Sequence, residues 1–179
     1  MSGKFKCDEP MREQKLAARF GTSRGPVRDA LMQLTQEGVL EYQPNKGVRV
    51  SSLLTDEERD VVVAMRLELE KYCIQKFIPI ATKEDFKNIS VLLERLKNAC
   101  EVASLPEVAE SDLALHRYWV AQASPHLEST WLGLSVRMIM KYSRLENYDQ
   151  AIEEHSRIVE ALLGRNIDKA IYYLGENIL

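Results

Sequence analysis

The stretch Leu16–Val50 reads LAARFGTSRGPVRDALMQLTQEGVLEYQPNKGVRV, and it decides the fold of the first part of the chain. Two short helical patterns meet at residues 21–23, Gly-Thr-Ser. In the second pattern, apolar residues recur at i, i+3, i+4 and i+7, which forms one stripe of an α-helix. These residues are Val27, Ala30, Leu31 and Leu34. The stretch therefore predicts two helices joined by a tight turn.

Both ends of the second predicted helix carry suitable residues. Ser23 is a good N-cap, and Pro26 is tolerated in a first turn, where its missing N–H has little effect. Gly38 stands where a left-handed C-terminal cap is expected. The β-rich runs VLEY and GVRV then flank residues 43–46, QPNK, which predicts a hairpin with its turn at this point. Together these features predict a winged helix-turn-helix.

Arg24 and Arg28 lie four residues apart in the second helix, on a face away from its apolar stripe. Guanidinium groups near the N-terminal end of such a helix can reach phosphates and guanine edges in a DNA major groove. An ordinary pair of helices with solvated arginines is the alternative. The turn, the arginines, the terminating glycine and the hairpin occur in order, which favours a DNA-binding head.

The run SRGPVRDALMQLTQEGVL, closed by KGVRV, closely resembles the DNA-binding domain of GntR-type bacterial transcription regulators. The resemblance implies that the chain binds an operator in double-stranded DNA as a symmetric homodimer. It places Arg24 and Arg28 at the principal base- and phosphate-contacting positions of the family. It also places Ser23 at a contact at the start of the helix, and Gly47 at the tip of the wing.

A further expectation concerns the start of the head, which we define as residues 1–54. In the resembled family another helix precedes the position matched by Gly3. Two short helices and a hairpin cannot easily bury their apolar side chains, and a third helix normally completes such a small core. We therefore expect a head that lacks its first helix and binds its operator weakly. A remnant that only dimerises remains an alternative.

The charge distribution supports two parts of different function. The chain has a net charge of −3. Residues 1–54 contain nine Lys/Arg and six Asp/Glu, whereas residues 55–179 contain fifteen and twenty-one. A basic head on an acidic body fits nucleic-acid binding. The chain has no apolar run of membrane-spanning length, no signal-peptide core and no CxxC pair. We therefore expect a cytoplasmic protein with reduced thiols and no membrane contact.

The body, residues 55–179, reads as an all-α helical bundle of about six helices. Thr55 and Thr82 are predicted to cap its first two helices. The first helix should end near Ile80, and the second should run toward Cys100. The remaining helices are predicted at about 107–123, 127–147, 149–163 and 167–179. The fold class is therefore mainly α, with a winged helix-turn-helix head that carries a small β wing.

A possible metal site stands out in the body. Asp112 and His116 lie at i and i+4, so one helix face presents a carboxylate and an imidazole that could share a divalent ion. His155 lies in an apolar stripe and should face the interior. A lone interior histidine is more often a satisfied core residue than a ligand, but three such groups favour a site. His126 follows Pro125 and is expected in a surface loop.

Nearly all of residues 55–179 resembles the FCD class, named for the FadR C-terminal domain, which is the ligand-binding half of many GntR-type regulators. The matching segments are RLELEKY, DLALH and EEHSRIVEALLGRNIDKA. In metal-binding members, one aspartate and three histidines surround a divalent ion. Asp112, His116 and His155 match three of these ligands, and Asn177 stands at the fourth position. Asparagine is a poorer ligand than imidazole for zinc or nickel, so we expect a weak site.

Joining the two halves predicts a transcription regulator whose effector, expected to be a small carboxylate, binds in the bundle beside the metal. Arg66 and Arg137 are candidates to hold the charge of this effector, and surface positions are the alternative for both. Arg66 and Glu70 could form a surface ion pair worth well under about 1 kcal/mol, whereas the resemblance favours a partly buried pair. A metal-dependent hydrolase is the rival class. No nucleophile or general-base motif accompanies the ligands, so we expect no enzyme.

Overall fold

The computed structural model describes residues 6–141 and 147–178, and within them the fold is mainly α with one small sheet. In chain order the elements are α1 Glu13–Phe20, α2 Arg24–Gln36, β1 Leu40–Gln43, β2 Gly47–Val50, α3 Asp56–Ile80, α4 Lys83–Glu101, α5 Leu105–Ala123, α6 Pro125–Lys141, α7 Tyr148–Leu163 and α8 Ile167–Ile178. None of the described helices has the length and apolar character needed to cross a membrane. The predicted fold class is confirmed.

The end of α2 forms the glycine cap that its sequence predicts. Gly38 has a φ of 76°, in the left-handed region. Its N–H donates to the carbonyl of Thr35 over 3.1 Å, and the N–H of Val39 donates to the carbonyl of Leu34 over 3.0 Å. This pair of bonds closes the helix and depends on a residue that tolerates positive φ. The chain then turns directly into the wing.

The wing is a two-stranded antiparallel hairpin. Leu40 lies opposite Val50, and Gln43 lies opposite Gly47, so the turn falls where the sequence predicts it. A small core joins helices and wing; its buried members are Ala17, Val27, Leu31, Leu40 and Val50. Phe20 and Leu34 stay 68% and 36% exposed, so this core covers the apolar side chains of the head only in part.

The six described helices of the body share one hydrophobic core, centred on side chains such as Ile74, Leu115, Trp119 and Trp131. Both predicted threonine caps are confirmed. The Thr55 side chain accepts from the Glu58 N–H, and that of Thr82 accepts from the Asp85 N–H. In each case the carboxylate of that acid accepts a hydrogen bond from the backbone N–H of the threonine. These capping boxes fix where α3 and α4 begin.

Two helix boundaries were predicted wrongly. The sequence interpretation took Pro106 and Pro125 to lie outside the helices, but proline fits the first turn of a helix. Helix α5 begins at Leu105, with Pro106 inside its first turn. Helix α6 begins at Pro125, so His126 lies in a helical turn rather than in a loop, although it is exposed as predicted. Asn147 was predicted to end the same helix, but it caps α7 by accepting from the Gln150 N–H. The predicted continuation over residues 142–146 lies outside the described residues.

Head and body meet where the end of α2 approaches α6. A Cβ atom placed on Gly133 would lie 3.4 Å from the carbonyl oxygen of Glu37. One placed on Gly38 would lie 3.2 Å from Cδ of Arg137. The missing side chains of these two glycines allow the helices to come this close. Arg137 therefore lies beside the C-terminal end of α2.

Candidate metal centre and DNA-binding surface

Helices α5 and α7 bring three predicted ligands together. Asp112 and His116 lie one turn apart on α5, and His155 projects from α7. Oδ1 of Asp112 lies 2.7 Å from Nε2 of His155 and 3.9 Å from Nε2 of His116. One ligand atom from each residue falls within 4.8 Å of the other two. Both histidines are buried. The arrangement offers one carboxylate and two imidazoles to a cation.

A fourth residue, Glu70 of α3, fixes the orientation of His116. Nδ1 of His116 lies 2.7 Å from Oε2 of Glu70, so this nitrogen carries the proton and donates a hydrogen bond to the carboxylate. The lone pair of Nε2 is then free for another partner. Among the described residues Nε2 is buried and has no hydrogen-bond partner. A histidine held by a carboxylate through one nitrogen is the usual arrangement of a metal ligand, so these residues fit a divalent ion.

Glu70 also accepts from two other side chains. Nε of Arg66 lies 2.7 Å and Nε1 of Trp131 lies 2.6 Å from its Oε1. Burial would raise the pKa of Glu70, but its interactions with His116 and Arg66 and the hydrogen bond from Trp131 lower it to about 2. Arg66 and Glu70 are buried. The alternative of a surface ion pair was therefore wrong.

The contact between Glu70 and His116 was missed from the sequence, although a signal was present. Arg66 and Glu70 lie in the same helical stripe as Val63, Leu67 and Ile74, all of them buried. Charged residues inside an apolar stripe must find partners, because an unpaired buried charge is strongly unfavourable. The stripe thus indicated a buried network. It did not indicate a partner 46 residues away.

His155 is held from both sides. Its Nδ1 lies 2.7 Å from the carbonyl of Ala151, and its Nε2 faces Asp112. Burial would lower the pKa of His155, but the hydrogen bond and charge of Asp112 raise it. Burial would raise the pKa of Asp112, but the bond from His155 and the neighbouring positive charges bring it below its usual range. Both nitrogens of His155 therefore donate, and a cation bound here would displace one proton.

The other predicted body residues take three different positions. Asn177 of α8 donates from Nδ2 to Oε2 of Glu154 over 3.2 Å, which places it against the helix that carries His155. Its role as fourth ligand stays a prediction. Arg137 lies at the junction with the head, whereas Arg66 lies next to the ligands through Glu70. The effector role of both arginines likewise stays a prediction.

The predicted DNA-contacting residues lie at the start of α2 and at the tip of the wing. Ser23 occupies the N-cap position of α2, although its side chain makes no capping bond. Arg24 and Arg28 follow on α2 and are exposed, and both pair with Glu13 of α1 over 3.0 and 2.9 Å. Hydrogen bonds from Arg28 and then Arg24 lower the pKa of Glu13 to about 2. Gly47 begins β2 at the wing tip with a φ of 78°. The role of Glu13 was missed, since nothing in α1 indicates it.

Comparison with known families decides the class of the protein. Residues 1–50 match the family of bacterial regulatory proteins, gntR family, and residues 61–177 match the FCD domain. The chain belongs to the GntR family and carries an FCD domain. The resemblance deduced from its motifs is confirmed. The chain is a DNA-binding transcription regulator and not an enzyme, so the hydrolase alternative is set aside.

This GntR regulator is similar to several curated repressors. It is 31% identical to the probable D-xylose utilization operon transcriptional repressor of Paenarthrobacter nicotinovorans, over 89% of this chain and 72% of the relative. It is 24% identical to the gluconate operon transcriptional repressor of Bacillus subtilis, over 99% of this chain and 76% of the relative. The solved structure of McbR/YncC from E. coli superposes with a TM-score of 0.82 at 21% identity, covering 98% of this chain and 86% of that one. The last similarity concerns the fold alone.

Proposed function

We propose that a small organic acid controls operator binding by this GntR regulator, and that the acid binds in the body beside a divalent ion. The head, residues 1–54, binds the operator, and the body, residues 55–179, holds the effector and joins two chains into a homodimer. The observation that carries the proposal is the lone pair on Nε2 of His116. It is buried, unpartnered among the described residues, and directed toward Asp112 and His155.

Asp112, His116 and His155 would hold the ion, and Asn177 would supply an amide oxygen if its side chain turned toward them. When bound, zinc, nickel or a similar ion supplies positive charge that attracts a carboxylate. Arg66 is the nearer of the two candidate arginines, since its guanidinium already neutralises Glu70 beside His116. Arg137 would have to act from the head–body junction.

The chemical class of the effector is supported by the relatives. Two curated repressors similar to this chain are named for a gluconate operon and a D-xylose utilization operon. A sugar acid such as D-gluconate combines the carboxylate that the site should attract with several hydroxyl groups. D-gluconate is therefore the first probe to test.

On DNA, the N-terminal end of α2 would enter the major groove, with Arg24 and Arg28 reading base edges and phosphates. Ser23 would contact the backbone at the start of the helix, and Gly47 would let the wing tip approach it closely. Two heads of a homodimer would address half-sites about one helical turn apart. Effector binding would change the relative placement of these heads.

The metal part is tested by zinc titration and elemental analysis of gently purified protein. The parent protein should bind zinc weakly. His116→Ala and His155→Ala should abolish binding, whereas His126→Ala is the matched control, because His126 is exposed and lies outside the cluster. Asn177→His should tighten binding, since imidazole is the better zinc ligand. Loss of binding in the His126 variant, or equal binding in all variants, would contradict the site.

The regulatory part is tested on DNA. An operator is first selected from random duplexes, and its affinity for the zinc-loaded protein is measured by fluorescence anisotropy with and without D-gluconate. We expect D-gluconate to change the affinity of the parent protein but not of His116→Ala. An identical response of both proteins would show that the effector acts elsewhere.

A further inference from the structure

Three buried side-chain nitrogen or oxygen atoms lack a hydrogen-bond partner among the described residues. They are Nε2 of His116, Nε1 of Trp119 and Oγ of Ser135. The first belongs to the candidate metal centre. The other two are unexplained, and both side chains are fully buried in the body. A buried polar group without a partner destabilises the folded state by about 1–3 kcal/mol, so two of them in one core call for a physical reason.

Their positions relate both atoms to the metal centre. Trp119 follows His116 by three residues on α5, and their ring centroids lie 4.6 Å apart. Ser135 follows Trp131 by four residues on α6, so the two share a helix face. Trp131 is the residue that donates to Glu70, and Glu70 holds His116. Trp119 and Ser135 thus each stand about one helical turn along their helix from a member of the Glu70–His116 network.

The chain has two tryptophans, and the contrast between them is informative. Trp131 and Trp119 are both fully buried. The indole of Trp131 donates to a carboxylate over 2.6 Å, whereas the indole of Trp119 donates to nothing among the described residues. An indole N–H can only donate, so its missing partner must be an acceptor such as oxygen. The hydroxyl of Ser135 can donate or accept.

We propose that Trp119 and Ser135 bind a second oxygen of the effector, next to the carboxylate that the metal attracts. This inference rests on the proposed function and makes it more specific. The ligand class is a hydroxy acid or a diacid, rather than a simple monocarboxylate such as acetate. A simple acid carries only its two carboxylate oxygens, so once the ion and Arg66 hold both of them it has none left for Trp119 and Ser135.

The two tryptophans allow a direct test by nuclear magnetic resonance. Zinc-loaded full-length protein is labelled with nitrogen-15, and its two indole N–H signals are followed during titration with D-gluconate or acetate. The Trp119 signal is the one that disappears in Trp119→Phe, and its contacts to the ring of His116 identify it independently. D-gluconate should move the Trp119 signal downfield, as expected when its N–H gains an acceptor, and should leave the Trp131 signal nearly unchanged. Acetate should leave both in place.

Ser135→Ala supplies a second readout. Removing a hydroxyl without a partner should leave the melting temperature of the ligand-free protein unchanged or raise it. The same change should weaken D-gluconate binding by roughly three- to tenfold, the value of one hydrogen bond, without weakening acetate binding. Ser129→Ala is the matched control, because Ser129 lies on the same helix and is exposed. It should change neither affinity.

The outcomes separate this inference from the proposed function. Suppose that D-gluconate binding is detected by its heat, but the Trp119 signal stays in place and Ser135→Ala binds D-gluconate as well as the parent protein. The second-oxygen site is then wrong, and the effector site stands. A Trp119 signal that is already downfield and protected from exchange without ligand also overturns the inference, because its partner would belong to the free protein. If neither acid binds the zinc-loaded protein, the proposed effector site fails and this inference fails with it.

Discussion

The head and the body each contain one carboxylate that bonds two nitrogen-containing side chains, and the two clusters differ mainly in solvent exposure. In the head, Glu13 bonds Arg24 and Arg28, and the side chains are 25%, 64% and 59% exposed. In the body, Glu70 bonds Arg66 and His116, and none of the three is more than 6% exposed. The pKa of each glutamate is lowered to about 2.

Exposure determines what each cluster can do. The arginines of the head are in contact with water, so a DNA phosphate can replace Glu13 at little cost. The groups around Glu70 have been removed from water, so each depends on its present partners and cannot exchange them. The exposed cluster suits reversible binding of an external anion. The buried cluster suits permanent orientation of His116.

The largest expected effect follows from breaking the buried cluster. Glu70→Ala leaves Arg66, Trp131 and Nδ1 of His116 without their acceptor, and removing one partner of a buried pair typically destabilises a protein by about 3–5 kcal/mol. Urea unfolding should show this loss, and zinc binding should weaken because His116 is no longer oriented. Glu13→Ala is the control and should shift the unfolding midpoint far less, because its ion pairs are exposed. Equal midpoints for Glu70→Ala and the parent protein would show that the network does not stabilise the body.

The second prediction concerns the exposed cluster on DNA. Arg28→Ala should weaken operator binding by roughly ten- to a hundredfold if Arg28 contacts a base bidentately, and should shift the unfolding midpoint only slightly, because its ion pair with Glu13 is exposed. Affinities are compared at matched salt. Arg95→Ala is the control for the lost charge, since Arg95 is an exposed partner of Glu110 on the body. A similar loss for both variants would indicate a non-specific charge effect, and no loss for Arg28→Ala would remove it from the interface.

Sequence patterns predicted those features that depend on neighbours in the chain. The apolar stripe and glycine cap of α2, the wing turn and the two threonine caps all follow from residues within a few positions of one another. The pairing of Asp112 with His116 is of the same kind. The role of Glu70 could not be predicted from spacing, because it requires α3 to pack against α5 and α6. Glu13 was missed for the same reason, since its partners lie on another helix.

The third prediction uses salt and pH to separate the clusters. Because the pKa of Glu13 is lowered from 4.5 to about 2, its stabilising contribution is complete above pH 4.5 and is lost as the pH falls toward 2. In 1 M salt the Debye length is about 3 Å, so the arginines should lower the pKa of Glu13 less. Carboxyl carbon shifts measured from pH 6 to pH 3 should then show Glu13 starting to titrate at higher pH than in low salt. Glu70, shielded from ions, should show no such change; an equal response to salt would mean that its network opens to solvent.

The smallest expected effect comes from Glu13→Gln. In the free protein Glu13 forms ion pairs with Arg24 and Arg28, and on DNA its negative charge would face the incoming phosphates. The variant should therefore bind the operator a few-fold more tightly at low salt, and the gain should shrink as salt rises. Glu110→Gln removes the same charge from the body and should give no gain.

Weaker binding by Glu13→Gln would point to the opposite role, in which the carboxylate holds Arg24 and Arg28 in the orientation that DNA requires. The salt dependence separates the two roles, because lost repulsion is screened by ions whereas lost orientation persists at high salt.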